Sequence, residues 1–370
     1  MSFTPFDQHM MGIALMLARR GLGTTAPNPS VGAVIADEAT GEVIARGVTQ
    51  PGGRPHAETQ ALQRAGPRAR GATLYVTLEP CAHHGKTPPC ADAVIAAGIR
   101  RVVIGAGDPD PRVAGEGSAR LRAAGIVVDT GLMADEANWV TRGHILRVTA
   151  NRPFVQLKMA LSAQGHVPRG NGGAPTFVTG PEARAAGHLM RAEADAILVG
   201  SGTVRDDDPD LRCRLPGLEA RSPVRVVVAR SLDLPMPAKL FQTARDVPVW
   251  LFTGFGADAG EIQAYEAAGA HIFSGPATGE GLSLAHVLEG LAEAGITRLL
   301  VEGGPAMWRG FASEGLVDEV VIFRQGGETP PVAAPDELAA RYAPGLDLTL
   351  ASERRIGADR VSVFRARPMG

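Results

Sequence analysis

Short apolar runs alternate with helix-length segments along almost the whole chain, and this alternation restricts the fold more than any other feature. Val31–Ile35 reads as a buried strand, with Glu42–Gly47 as its hairpin partner across the polar turn Asp37–Gly41. Thr73–Leu78 and Arg101–Gly105 are further strands. Met10, Ile13, Ala14 and Leu17 recur at helical spacing ahead of Gly21 and Gly23. His56–Ala65, Cys90–Ala97 and Ser118–Ala124 are helices stopped by Gly66, Gly98 and Gly125. Strands separated by helices predict a parallel or mixed sheet with helices packed on it.

The pattern restarts around Asn151, Arg152 and Pro153, after a mixed polar stretch. Phe154–Met159, Ala196–Val199, Val224–Ala229, Val249–Phe252, Arg298–Val301 and Glu319–Phe323 are strands of a second α/β region. A chain of 370 residues is long enough for two domains, which places them at 1–150 and 151–370. Gly326–Pro335 is rich in Gly and Pro without periodicity and reads as a surface loop.

Composition narrows the function classes. Hydrophobic residues at 45% and charged residues at 21% supply proper cores and exclude general disorder. Lys and Arg total 37 against 39 Asp and Glu, so nothing marks a nucleic-acid footprint. Met10–Leu17 is apolar, but Asp7 precedes it and Arg19 and Arg20 follow, the reverse of a signal peptide. No stretch approaches the roughly 20 apolar residues of a membrane span. A cytoplasmic protein without membrane or nucleic-acid partners is expected. Three cysteines, Cys81, Cys90 and Cys213, are too few for a disulfide framework and turn attention to metal binding.

His56, Ala57 and Glu58 form a His-x-Glu triplet at a helix start, while Pro80 and Cys81 follow the strand Thr73–Leu78 and lead to Cys90. One imidazole and two thiolates are good zinc ligands that leave a fourth tetrahedral position for water, as in catalytic sites. Residues two apart on a helix diverge by roughly 200°, so His56 and Glu58 serve one site only if the helix begins there. Zinc brings bound water toward a pKa of about 7, and an unligated carboxylate can carry the proton to a leaving amine. Glu58 is that candidate shuttle, and hydrolytic deamination the indicated reaction. The zinc-deaminase pattern has Pro-Cys-x-x-Cys, whereas this chain places eight residues between Cys81 and Cys90.

The stretch Thr77–Cys90 (TLEPCAHHGKTPPC) resembles the bifunctional riboflavin-biosynthesis deaminase/reductase family. So do Asn28–Gly32, His56–Glu58, Asp108–Gly115, Leu157–Ser162, Asp195–Val204, Asp207–Leu211 and Val301–Gly304. The resemblance implies a cytidine-deaminase-like α/β/α domain followed by a dihydrofolate-reductase-like α/β domain. It implies deamination of a diaminopyrimidinone ribosyl phosphate, then NADPH-dependent reduction of ribosyl to ribityl. On this basis His56, Cys81 and Cys90 bind zinc, Glu58 shuttles the proton, and Asn28, His83, Lys86 and Asp108 hold pyrimidine and phosphate. Arg191, Leu211, Arg214 and Glu302 meet the reductase substrate, the arginines through its phosphate. Ala160, Phe177, Thr203, Asp207 and the run Gly304, Pro305, Ala306, Met307, Trp308, Arg309 and Gly310 contact NADPH. Gly303 and Gly304 follow a strand and precede a helix, whose first N–H groups suit a phosphate.

Departures from the family fall mostly in the second half. Ser-Leu-Asp-Gly-Lys is replaced by Ser162–His166, with Gln164 and His166, and Ser-x-Trp-Ile-Thr by Pro175–Thr179. The usual Ala-Pro-x-x-Leu-Gly-Gly run is not recognisable near Phe323–Gly327, and Asp110 stands where Asn is common. Two alternatives stay open: a zinc deaminase of another base or nucleoside with a divergent or inactive second domain, and a zinc-stabilised interaction protein without activity. The expected partner is a small phosphorylated pyrimidine, and a homodimer or larger homo-oligomer is allowed for.

Overall fold

The computed structural model describes residues 3–85, 88–110, 114–168, 177–277, 281–326 and 333–367. The chain divides into two compact units, Met1–Asn151 and Arg152–Gly370. Among the described residues no helix is long and apolar enough to cross a membrane.

In chain order the first unit comprises α1 (Pro5–Arg20), β1 (Gly32–Asp37), β2 (Glu42–Val48), α2 (Ala57–Ala65), β3 (Thr73–Leu78), α3 (Cys90–Ala96), β4 (Arg101–Ala106), α4 (Glu116–Ala123), β5 (Val127–Thr130) and α5 (Ala134–Ala150). Its sheet has the order β2-β1-β3-β4-β5. β1 is antiparallel to β2 and β3, whereas β3, β4 and β5 run parallel. β3 is buried along its whole length, which is why it reads in sequence as a continuous run without alternation. α1 starts at a capping box: Thr4 Oγ1 accepts the Asp7 N–H and Asp7 accepts the Thr4 N–H. The buried Asp7 carboxylate also receives Arg101 Nη1 at 2.7 Å and the Tyr75 hydroxyl at 2.8 Å, which ties α1 to the sheet. The mixed polar stretch before Asn151 is a 17-residue helix, α5, whose buried Ala137 and Val140 join this core.

The second unit runs β6 (Phe154–Leu161), α6 (Pro181–Ala192), β7 (Ala196–Gly200), α7 (Ser201–Asp207), β8 (Val224–Val228), α8 (Lys239–Gln242), β9 (Val249–Gly254), α9 (Ala259–Ala267), β10 (Ala270–Gly275), α10 (Leu284–Glu293), β11 (Arg298–Val301), α11 (Pro305–Ser313), β12 (Glu319–Arg324), α12 (Pro335–Tyr342), β13 (Leu348–Ile356) and β14 (Asp359–Ala366). The nine-stranded sheet is ordered β10-β9-β8-β7-β11-β6-β12-β14-β13, parallel from β10 to β12 and antiparallel at the β12-β14-β13 edge. Arg152, the first residue of this unit, grips Asp318 with two bonds of 2.6 and 2.9 Å and fixes where β6 starts. The chain passes from β6 to β7 with β11 between them, so the sheet's C-terminal ends open there, where open α/β sheets bind ligands. Most of the loop expected at Gly326–Pro335 lies outside the described residues.

Candidate active sites

The chain leaving β3 brings Cys81 beside Cys90, the first residue of α3, and His56, the residue that opens α2. His56 Nδ1 is 3.3 Å from Cys90 Sγ and 3.8 Å from Cys81 Sγ, and the Cys90 N–H donates to Cys81 Sγ at 3.3 Å. The three donor atoms lie within 4.8 Å of one another. Among the described residues no other set of three His, Cys, Asp or Glu side chains converges in this way. His56 has extended backbone (φ −67°, ψ 159°) and the helix begins at Ala57, so Glu58 falls on its first turn. This is the helix start that a shared site requires.

Cys81 is drawn down to about 4, first by its hydrogen bond with Cys90 and, against the effect of burial, by His56. Cys90 is pushed far up, first by that same bond and then by burial. A depressed Cys81 thiol favours the thiolate form that binds a cation, and two sulfurs with one imidazole nitrogen suit tetrahedral zinc. Glu58 is buried, and burial pushes its carboxyl up to about 7.

Around the cluster, Asn28 Nδ2 donates to the Gly53 carbonyl at 3.2 Å. Gly53 has φ +82°, and a Cβ there would stand 2.0 Å from Asn28 Nδ2, so glycine is required. Asp108 follows β4; its carboxylate accepts the Asp110 N–H at 2.9 Å, and burial raises it. His83 is exposed. Lys86 lies outside the described residues. Sequence reasoning missed Glu79, a buried carboxylate that accepts the N–H groups of Ser118 at 2.7 Å, Gly115 at 3.1 Å and Asp108 at 3.2 Å. An acid directly between a buried strand and Pro80 was the available signal.

In the second unit two adjoining clefts open at the strand ends. The larger, about 1280 Å³, is lined by Gly303, Gly304, Pro305, Ala306, Met307, Trp308 and Gly310 together with Arg205 and Arg230. The smaller, about 510 Å³, is lined by Arg191, Leu211, Arg214, His188 and Phe177. Lys158, Ala160, Thr203, Asp207 and Glu302 belong to both walls. Phe177 lines the smaller cleft, and Arg309 is exposed on α11 and lines neither.

Glu302 follows β11 and accepts Arg191 Nε at 2.8 Å and Nη2 at 2.9 Å, with Lys158 Nζ 3.6 Å away. Burial alone would raise its pKa, but Arg191 and Lys158 outweigh that and hold it well below the usual carboxylate range. Arg191 Nη1 donates to the Arg212 carbonyl at 3.0 Å, so this guanidinium, expected on the substrate phosphate, is engaged within the protein. Leu211 and Asp208 hold φ +60° and +41°, left-handed values that cost a non-glycine residue roughly 1–2 kcal/mol. Lys158 and His188 are cleft residues to which no role was assigned from sequence.

Comparison with known proteins follows the same division. The cytidine and deoxycytidylate deaminase zinc-binding region matches residues 4–106, and the RibD C-terminal domain matches residues 153–358. Riboflavin biosynthesis protein RibD of Aquifex aeolicus is 39% identical over 317 residues, 86% of each chain. That of Escherichia coli is 37% identical over 361 residues, 92% of each. The chain belongs to the RibD family. RibD of Acinetobacter baumannii has a TM-score of 0.81 at 32% identity, covering 98% of this chain and 99% of its own. A Thermotoga maritima structure, described as a diaminohydroxyphosphoribosylaminopyrimidine deaminase/5-amino-6-(5-phosphoribosylamino)uracil reductase, has a TM-score of 0.79 at 33% identity over the same shares. As a RibD-family protein the chain is a bifunctional enzyme of riboflavin biosynthesis, deaminase and reductase, with zinc and NADPH as cofactors.

Of the departures from other RibD proteins, the Ser162–His166 turn sits away from the cleft walls, whereas Phe177 and Val178, in the places of Trp and Ile, line the smaller cleft. Ser162–His166 forms a tight turn, with Ser162 N donating to the His166 carbonyl at 2.9 Å. Gln164 and His166 are exposed and line neither cleft, while Val167 and Pro168 beyond them line the larger. Pro175 lies outside the described residues.

Proposed function

We propose that the first unit, residues 1–151, hydrolytically deaminates 2,5-diamino-6-(5-phosphoribosylamino)pyrimidin-4-one. The second, residues 152–370, then reduces the ribosyl group of the product to ribityl with NADPH. The observation that carries this reading is the convergence of His56, Cys81 and Cys90 with Glu58 buried beside them. Zinc held there supplies a water acidic enough to attack near neutral pH. Glu58, which is not one of the converging donors, takes the proton on its carboxylate and returns it to the amine nitrogen as it leaves. Asn28, fixed by Gly53, offers its amide to the ring edge, and His83, Lys86 and Asp108 attend the rest of the substrate.

For the reductase, the five residues common to both clefts support a site where cofactor and sugar meet. Nicotinamide carries the hydride, so the protein's task is to hold two phosphorylated molecules in register. The N–H groups at the start of α11, after Gly303 and Gly304, suit a cofactor phosphate. Arg214 is half-exposed at the smaller cleft and suits the substrate phosphate, while Arg191 orients Glu302. Three free cysteines fit a reducing, cytoplasmic setting, and a net charge of -2 fits a small-molecule partner rather than a polyanion. The test is incubation of the full chain with the diaminopyrimidinone ribosyl phosphate, with and without NADPH, and identification of products. The uracil ribosyl phosphate is expected without NADPH and its ribityl counterpart with it; no ammonia release by zinc-loaded protein would refute the reading.

A further inference from the structure

We propose that His188 is a further substrate-positioning residue of the reductase: a neutral imidazole, hydrogen on Nε2, that donates to a phosphate oxygen of the substrate in the smaller cleft. The inference rests on that cleft being the reductase substrate site. His188 lies on α6 one turn before Arg191, half-buried in the cleft wall. Its Nδ1 accepts the Arg214 backbone N–H at 3.2 Å. An amide nitrogen can only donate, so Nδ1 carries no hydrogen and Nε2 must carry it.

The surroundings oppose a charged ring. Burial and then Arg191 and Arg214 pull His188 down to about 4, and Lys158 adds to this. Glu302, which opposes them, is already shared by Arg191 and Lys158. The His188 carbonyl accepts Cys213 Sγ at 3.4 Å, and Arg191 Nη1 takes the Arg212 carbonyl. These bonds lock α6 to the segment 212–214, so the Nε2–H donor keeps a fixed relation to Arg214. With Arg191 engaged by Glu302, the wall offers an anion the His188 donor and the half-exposed Arg214, which also pairs with Asp210 at 3.4 Å, beside Lys158 and Arg184.

The test uses the full-length enzyme, the deaminated intermediate and the variants His188→Leu and His188→Gln. A glutamine can accept the Arg214 N–H with its oxygen and donate with its nitrogen, as the neutral ring does. Leucine should raise KM for the intermediate about tenfold or more, the effect of losing a hydrogen bond to a charged group. KM for NADPH should stay within about twofold, which also reports that the reductase unit has folded. Glutamine should bring KM back to within about threefold of wild type. An unchanged KM in the leucine variant, or a glutamine variant as impaired as leucine, overturns the proposal. Nitrogen-15 NMR of the wild type should show the Nε2–H tautomer and a shift of that nitrogen when the intermediate is added. An Nδ1–H tautomer or an unmoved resonance also overturns it. Failure of wild type to oxidise NADPH refutes the reductase reading instead, and the nitrogen spectrum still decides the role of His188.

Discussion

Glu79 is the residue whose removal tests how the deaminase site is assembled. One oxygen, Oε1, accepts Ser118 N–H at 2.7 Å, and the other, Oε2, accepts Asp108 N–H at 3.2 Å and Gly115 N–H at 3.1 Å. Glu79→Gln keeps the size but leaves one accepting oxygen. Its best placement preserves the two bonds at Oε2 and turns an NH2 group toward Ser118 N, donor against donor. Each charge-assisted bond is worth about 1.5–3 kcal/mol, and the remaining two weaken as the charge is lost, so the cost is about 2–4 kcal/mol. At about 2–4 °C per kcal/mol for a unit of this size, the melting temperature of the first unit should fall by roughly 4–16 °C.

The functional consequence is specific. Glu79 holds the segment that carries Asp108 against the start of α4, so its loss should raise KM for the pyrimidine while the zinc ligands stay in place. Thermal unfolding followed by circular dichroism, zinc content and both activities should be measured on one preparation. The expected pattern is a lower melting temperature, a raised deaminase KM, about one zinc per chain and an unchanged reductase. A glutamine variant that melts with wild type and deaminates with the same KM would show that the three bonds do not organise this segment.

Glu58→Gln should cost deamination about 10²–10⁴-fold while zinc stays bound, and Cys81→Ser should lose the zinc as well; metal analysis beside an ammonia assay separates the two. Gly53→Ala places a methyl on Asn28, which stands 2.0 Å from the Cβ position, and should raise the deaminase KM without affecting NADPH oxidation. His144 on α5 is pulled down to about 4, first by burial and then by Arg147, from 6.5 when free of these effects. The unfolded chain therefore binds more protons between those values, and stability present above pH about 6.5 is lost as pH falls toward about 4. His144→Gln should flatten that part of a urea-denaturation pH series, and an identical slope would refute it.

What could be read from the sequence depended on how far apart the cooperating atoms lie in the chain. Zinc chemistry compresses into short segments: His56 and Glu58 share a helix start, and Cys81 and Cys90 flank one connection. Strands such as β3 announce themselves because both faces are buried. α5 did not, because its buried positions include Ala137, Thr141 and Gly143, which dilute the apolar stripe. β13 is exposed along nearly its whole length at the sheet edge and is defined by its pairing with β14, not by any apolar pattern. Glu79 looked like part of a motif, but its work is done on N–H groups 29 to 39 residues further on.

The same reasoning explains why the reductase was harder to read from sequence than the deaminase. Its central charges, Arg191 and Glu302, are 111 residues apart and constrain one another directly, so their pairing shows in no single segment even though Glu302 lies in the run Val301–Gly304. Of the substitutions that stand out, Gln164 and His166 are exposed on a turn whose adjoining wall is made by Val167 and Pro168, while Phe177 lines the smaller cleft itself. A zinc site needs particular donor atoms at particular distances, so its residues are fixed by type. Hydride transfer between two bound molecules needs placement, which Lys158, Ala160, Thr203, Asp207 and Glu302 supply jointly from separate elements. Changes outside that shared wall should therefore alter affinity before they alter the chemical step.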